Sequence, residues 1–475
     1  MILSSGTFLV FLTVCLIGHY ILPHKARNFW LFLSSVAFFC YAMPAQALIL
    51  MVFCLVIWLF CPAMAAAKHQ LRKVLLWGGI GLGIGFLVFY KYLAFLASSL
   101  GLPTTSAFFS LVAPMGISYV TFQCIAYLVE VYKGRMEPEK DPIDFFVYAL
   151  FFAKLTAGPI ETPQAFLAQL KQPRQFSLYR AKKGLLRMAM GFVKKIAVAD
   201  YLAIGVAAVF EKGGQAEGWA VIMGSCMYAV QLLCDFSGYT DIARGAASLF
   251  GIELTENFNA PYMATSVRDF WRRWHISLST WLKNYIYIPL GGSRVGTVRR
   301  YCNVMVTFLV SGIWHGASLS YVFWGLLHGI YQVAEMLLEP VGRRLRATIG
   351  IRDDHPVRIW ICRGVTFILV TTAWVFFRAD SIGTALDMLG CLFAPWGSFN
   401  EAAKLCGMDF AAVLLTVSGL LCAHLMGKLL ALECKKQERN SAVTHICVCI
   451  VWAVLLVYMV CAAAGGGSSF IYFDF

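Results

Sequence analysis

Charge is what this sequence has least of. Asp, Glu, Lys and Arg make up 13% of its 475 residues, while hydrophobic residues make up 60%. So few charges do not cover the surface of a soluble domain, where about a quarter of residues are charged. A mean hydropathy of +0.71 points to lipid as the solvent. Acidic residues are the scarcest class, 25 against 39 basic, for a net charge of +14. Nucleic acid is excluded as a partner because no soluble domain presents that charge. No C-x-x-C pair occurs. The sixteen cysteines are scattered, mostly inside apolar runs (Cys15, Cys54, Cys124, Cys226, Cys461), where the thiol acts as a small hydrophobe. Neither a disulfide framework nor a metal site is expected. G-x-S-x-G, G-x-x-x-x-G-K and H-E-x-x-H are also missing, which removes serine hydrolase, nucleotide hydrolase and zinc protease chemistry. The run Gly79-Ile-Gly-Leu-Gly-Ile-Gly85 lacks the strand and acid of a dinucleotide site and suits close helix packing. No repeat relates the two halves, which weakens a transporter built on inverted repeats.

What is present is a series of apolar stretches of about 20 residues, the length that crosses a bilayer. They fall near 4–22, 28–43, 45–66, 75–100, 107–130, 143–157, 219–250, 301–337, 357–377, 408–432 and 443–465, and 301–337 has room for two helices. Together they make roughly ten to thirteen crossings or deep insertions. No basic residue precedes the first span and no small-residue cleavage site follows it, so a retained helix is expected rather than a signal peptide. No polar stretch exceeds loop size. The expectation is one integral membrane domain over 1–475, with N-terminal helices to 110, a core over 111–340 and C-terminal helices from 341.

The basic residues cluster in three places. Lys171, Arg174, Arg180, Lys182, Lys183, Arg187, Lys194 and Lys195 form one cluster. Arg268, Arg272, Arg273, Lys283, Arg294, Arg299 and Arg300 form another, and Arg343, Arg344, Arg346, Arg352, Arg358 and Arg363 a third. The bias of lysine and arginine toward the cytoplasmic side makes these topology signals and headgroup contacts. Residues 177–202 mix basic and apolar positions at helical spacing, which suits a helix lying in the interface plane. Residues 265–288 do so more strongly, with Trp271, Trp274 and Trp281 as interface anchors, and stop at Pro289 and Gly291-Gly292. Such a segment dips into the bilayer without crossing it. Irregular backbone at depth needs a protein or water-filled surround, so a cavity is expected there.

His315 is the leading candidate for chemistry, because an ionisable group inside an apolar segment is functional by default. Gly312 and Gly316 flank it and admit a neighbouring helix. On a continuous helix Ser311 and Ser318 share its face. Burial disfavours the imidazolium, so the ring keeps a basic nitrogen able to take a proton from a hydroxyl or thiol. A helix–helix hydrogen bond is the bland alternative. Arg268, Arg272, His275 and Ser279 follow i, i+4, i+7, i+11 and share a face that could meet a phosphate or serve anchorage. His328, thirteen residues after His315, falls on another face of a continuous helix and reads as structural. Asp235 and Asp241 could orient a proton, but pairing with Arg244 or a basic loop residue explains them better.

Several motifs appear together and in order: Pro114-Met-Gly-Ile-Ser-Tyr-Val-Thr-Phe-Gln123, Ala157-Gly-Pro-Ile160, Gly191-Phe-Val-Lys-Lys-Ile-Ala-Val-Ala-Asp200, Asp235-Phe-Ser-Gly-Tyr-Thr-Asp241 and Glu256-Asn-Phe-Asn-Ala-Pro-Tyr262. The stretch Phe270 to Gly292, the run Gly312-Ile-Trp-His-Gly316 and the terminal Phe470-Ile-Tyr-Phe473 complete the set. In these motifs the sequence resembles the membrane-bound O-acyltransferase family, in its bacterial alginate O-acetylation branch. The match is dense over 114–316, and elsewhere it rests on hydropathy. Ala260 stands where an aromatic or aliphatic residue is common, which touches nothing catalytic.

The resemblance implies an all-α polytopic membrane protein. About eleven transmembrane helices would form a ring, with short oblique or re-entrant helices around a central tunnel. It implies that His315 is the catalytic histidine and His275 the second functional one. Donor and acceptor would reach them from opposite faces. The function expected is transfer of an acyl group, most readily acetyl, from a cytoplasmic thioester (acetyl-CoA or acyl carrier protein) to a polysaccharide hydroxyl outside. A periplasmic or extracellular acetyltransferase of esterase fold would be the partner, and the bacterial inner or plasma membrane the location. No bound cofactor is expected. Arg272 and Arg273 would line the donor's entrance. D-alanyl transfer to teichoic acid is the near alternative, and a transporter or flippase the distant one.

Overall fold

The computed structural model describes residues 3–102, 111–349 and 352–408, with 413, 416–421 and 425 beyond. The span expected at 443–465 and the run Phe470–Phe473 lie outside the described residues, as does the larger part of 408–432. Among the described residues the protein is all helical, and the one β-contact is an isolated antiparallel bridge between Phe258 and Trp274. The helices are α1 (Gly6–Ile21), α2 (His24–Ala42), α3 (Pro44–Ala66), α4 (His69–Lys91), α5 (Leu93–Ser99), α6 (Ile117–Tyr132), α7 (Pro142–Leu150), α8 (Pro163–Leu170) and α9 (Leu178–Phe192). After a π-helical turn at Val193–Ala199 follow α10 (Asp200–Lys212), α11 (Gly218–Leu249), α12 (Val267–Arg273) and α13 (Ile276–Leu282). A second π-helical turn, Lys283–Tyr287, leads to α14 (Thr297–His315), α15 (Leu319–Ile349), α16 (Pro356–Arg378), α17 (Ile382–Gly390) and α18 (Phe399–Leu405).

The starts are written in the sequence. Proline occupies the first turn of α3, α7, α8 and α16, where its missing N–H costs nothing. Ser177 and Ser266 cap α9 and α12 by accepting from Arg180 N and Asp269 N. Among the described residues α3, α4, α11 and α16 are long and apolar enough to cross a membrane. The window 301–337 holds two helices, as its length suggested. The window 143–157 does not hold one long helix. It gives the nine-residue α7 and then turns, and Lys154 lies buried in the turn that follows. Its ammonium donates to the Tyr148 carbonyl at 2.6 Å and to Gln123 Oε1, and Phe152 N donates to Ser35 Oγ at 3.1 Å. Side chains thus satisfy the irregular backbone, the condition for keeping it buried.

The described chain divides into two compact units. One is built mainly from Met1–Ala197 and Asp235–Thr255, the other mainly from Val198–Cys234 and Glu256–Val417. In the first, the π-turn after α9 presents two adjacent lysines to two carboxylates of α11. Lys195 Nζ donates to Asp235 Oδ1 at 2.7 Å with both side chains buried. Asp241 accepts from Lys194 at 2.7 Å and from Arg187 at 3.0 Å. The acids therefore pair with the basic cluster before α10, while Arg244 Nε donates to the Leu254 carbonyl at 2.8 Å. Pairing, rather than proton transfer, accounts for both. In the second unit α14 and α15 cross closely. A Cβ on Gly312 would lie 2.4 Å from Tyr321 O, and one on Gly325 would lie 2.3 Å from Phe308 O. Only glycine allows that approach.

A buried ion pair is costly to break and cheap to replace. Lys195→Leu alone is expected to destabilise by about 3–5 kcal/mol, with Lys195→Leu/Asp235→Leu recovering most of it. Thermal unfolding of the two variants in detergent checks this.

Candidate active site

The arginine- and tryptophan-rich segment is a helix broken in the middle. α12 ends at Arg273, Trp274 is extended, and His275 adopts φ +43° and ψ 54° before α13 begins. A left-handed conformation costs a side-chain-bearing residue about 1–3 kcal/mol and persists only where neighbours impose it. Here the strand-like segment 257–259 imposes it. Asn259 N donates to Arg273 O at 2.9 Å, Ile276 N to Asn257 O at 3.1 Å, and Ser277 N to Asn257 Oδ1 at 3.0 Å. The Phe258 and Trp274 rings meet edge to face at 5.0 Å across this bridge. Glu335 of α15 anchors the other end of α12, accepting from Val267 N and, at 3.1 Å, from Arg268 N.

The continuous helical face expected for Arg268, Arg272, His275 and Ser279 is therefore not formed. The break turns His275 inward, where its ring lies 6.1 Å from that of Trp314. Arg268, Arg272 and Ser279 instead line a cavity of about 490 Å³, shared with Trp271, Lys283, Arg300 and Phe308. Four cations in one cavity make it a place for an anion. Arg273 does not line it. Its guanidinium pairs with Asp269 at 3.0 Å and reaches Asn259 O at 3.4 Å.

His315 is the last residue of α14 and is 3% exposed. Three aromatic rings surround it: Trp314 at 4.9 Å, Trp324 at 5.0 Å and Phe377 at 5.2 Å. Trp314 thus touches both candidate histidines. The helix stops at Gly316, so Ser318 sits in the turn before α15, accepting from Ser320 N at 3.2 Å, and does not share a helical face with His315. The interruption also resets the register of α15. Within α15, Trp324 and His328 are i, i+4 neighbours with rings 5.0 Å apart, so Trp324 stands between His328 and His315. His328 Nδ1 accepts from Trp271 Nε1 at 3.2 Å, which leaves the proton on Nε2.

Trp271 lines the cavity and stands 5.7 Å from Trp324, so His315 lies one indole beyond the cavity wall. Around it Ser311 Oγ, Trp324 Nε1 and His328 Nε2 are buried and have no hydrogen-bond partner among the described residues. Burying such groups unsatisfied costs about 1–3 kcal/mol each. A cluster of them beside a buried imidazole makes this the candidate place for a polar substrate group. Trp324 escaped the sequence reading, which took His328 as structural and did not place it beside His315 through an indole.

Comparison with known proteins bears on the chemistry of the chain. Residues 138–378 match the membrane-bound O-acyltransferase family. A protein named probable alginate O-acetylase from Pseudomonas putida is 34% identical over 427 residues, covering 87% of this chain and 85% of its own. A peptidoglycan O-acetyltransferase from Helicobacter pylori is 35% identical over 414 residues, covering 80% and 77%. A teichoic acid D-alanyltransferase from Bacillus subtilis is 26% identical over 264 residues, covering 50% and 62%.

Asn257 bonds neither histidine but holds the backbone just after His275, its side chain accepting from Ser277 N. Asn257→Ala is expected to lower turnover about 10- to 100-fold while the protein still folds, as a displaced functional group does. Comparing turnover with the thermal midpoint of the same sample checks it.

Proposed function

We infer the function from one premise: this chain belongs to the membrane-bound O-acyltransferase family and is a membrane O-acyltransferase. The reading that follows is acetyl transfer from a cytoplasmic thioester, acetyl-CoA or an acylated carrier protein, to a polysaccharide hydroxyl on the other side of a bacterial inner membrane crossed several times. An esterase-fold acetyltransferase outside the cell membrane would pass the group on to the polymer. The observation that carries the reading is His315, a buried imidazole ringed by aromatics and orphaned donors, one indole away from a cationic cavity.

In this mechanism the imidazole takes the proton of the acceptor hydroxyl as its oxygen attacks the thioester carbonyl. The new C–O bond forms, the C–S bond breaks, and the thiolate leaves with the proton that the imidazolium returns. His275, on the far side of Trp314, is assigned to the negative charge that develops on the carbonyl oxygen. The phosphates of the donor would be held by Arg272 with Arg268, Lys283 and Arg300, as guanidinium and ammonium groups hold phosphate elsewhere. Arg273 lies beside this entrance, tied to Asp269.

Purified protein in detergent, given acetyl thioester, the partner acetyltransferase and a glycan acceptor without any gradient, is expected to release thiol and O-acetyl ester in equal amounts. No transfer under those conditions supports transport instead. Mass spectrometry of surface polymer from a deletion strain is expected to show loss of acetyl; loss of D-alanyl would contradict the acetyl assignment. Arg272→Ala is expected to raise KM for the donor about tenfold and leave kcat within about twofold, the signature of lost ground-state binding. A fall in kcat alone would remove Arg272 from the donor site.

A further inference from the structure

A second cationic site lies in the first unit, around the turn between α1 and α2 and the loop leading into α9. Arg174 there is 2% exposed, yet its Nε and Nη1 have no hydrogen-bond partner among the described residues. Its Nη2 donates to Asn28 Oδ1, and its carbonyl accepts from Arg27 Nη1. Arg27 lies over the Tyr20 ring at 5.4 Å, and the Tyr20 hydroxyl is within electrostatic reach of Arg27, Arg174 and Arg180. His19, fully buried, adds a ring with no hydrogen-bond partner among the described residues, within electrostatic reach of Arg27 and Arg174. The carboxylate acting on Arg174 is Asp144, which already accepts from Asn28 Nδ2 at 2.6 Å. No carboxylate lies within ion-pair distance of any of the three guanidiniums among the described residues.

Three converging guanidiniums and one distant acid leave a positive excess in a place largely closed to water. Burial lowers Arg174 to about 10, so it remains a cation at neutral pH with two donors to satisfy. The surroundings identify where a counter-anion comes from. Ile21, Phe176 and Leu178 are 77%, 62% and 61% exposed, and the Phe176 ring meets Tyr20 edge to face at 5.3 Å. Apolar side chains around a cationic pocket, beside loops that the positive-inside rule assigns to the cytoplasm, describe the headgroup level of the inner leaflet. Guanidiniums match phosphate oxygens in pairs.

We propose that Arg27, Arg174 and Arg180 form a binding site for the phosphodiester of an anionic phospholipid, separate from the cavity assigned to the acyl donor. The site holds α1, α2 and the start of α9 together through one lipid.

The test uses the full-length protein in detergent micelles, with thermal unfolding followed as phosphatidylglycerol, phosphatidylcholine or inorganic phosphate is added. Phosphatidylglycerol is expected to raise the midpoint, with phosphatidylcholine and phosphate giving little. Arg27→Gln/Arg180→Gln, at half-buried positions that tolerate substitution, is expected to need about tenfold more phosphatidylglycerol for the same rise, as loss of charge-assisted hydrogen bonds implies. Arg272→Gln should respond as the native protein does. Equal stabilisation by both lipids, an unchanged response in the double variant, or full stabilisation by inorganic phosphate alone would each overturn the proposal. Arg174→Gln adds a second variant; if it fails to fold, the double variant still decides the question.

Discussion

Inside an apolar bundle a helix may break only where every backbone group it frees finds a partner. That requirement shapes the whole candidate site. At Trp274–His275 the freed amides and carbonyls are taken up by residues 257–259, which form the isolated bridge with this segment. Because the bridge runs through Asn257, a side chain completes what a second strand would otherwise supply. The left-handed His275 is a consequence of this clasp. At Gly316–Ser318 the break is held by close packing, with Gly312 and Gly325 letting the backbones of α14 and α15 meet. His315 is thereby fixed at a helix end, where its ring projects into the aromatic cluster instead of along a packed face.

Electrostatics divide in the same way within each unit. Where cations meet carboxylates, as at Lys195–Asp235 and around Asp241, the charges neutralise one another and the result is structural. Where no carboxylate lies within ion-pair distance among the described residues, as at Arg268, Arg272, Lys283 and Arg300, and again at Arg27, Arg174 and Arg180, an excess of positive charge is left. The acid content of the sequence is too low to neutralise its basic residues, and where each acid is spent decides which basic clusters stay open.

Much of this was readable from the residues. Hydropathy placed α1 to α3, α11 and α16 within a few residues, the span at 75–100 ran across the end of α4 and all of α5, and the length of 301–337 anticipated two helices. His315 stood out because an imidazole is rare in such surroundings. What the sequence could not show was where helices break. Arg268, Arg272, His275 and Ser279 keep perfect helical spacing, so nothing local announces that His275 leaves that face. The clasp comes from residues about twenty positions earlier, and only the folded chain brings them together. The same blindness hid Trp324, whose contact with His315 depends on the turn at Gly316. The span expected at 143–157 stopped at Leu150, and the partners that hold Lys154 in the following turn, Gln123 and Tyr148, are likewise set by the fold.

The central claim is that the His315 ring moves the proton during acyl transfer. It is tested most directly by replacing that residue with alanine in cells that O-acetylate their polymer, after confirming that the variant inserts in the membrane at the native level. The account predicts that polymer acetylation falls to the level of a deletion strain. Acetylation persisting at the native level would contradict it.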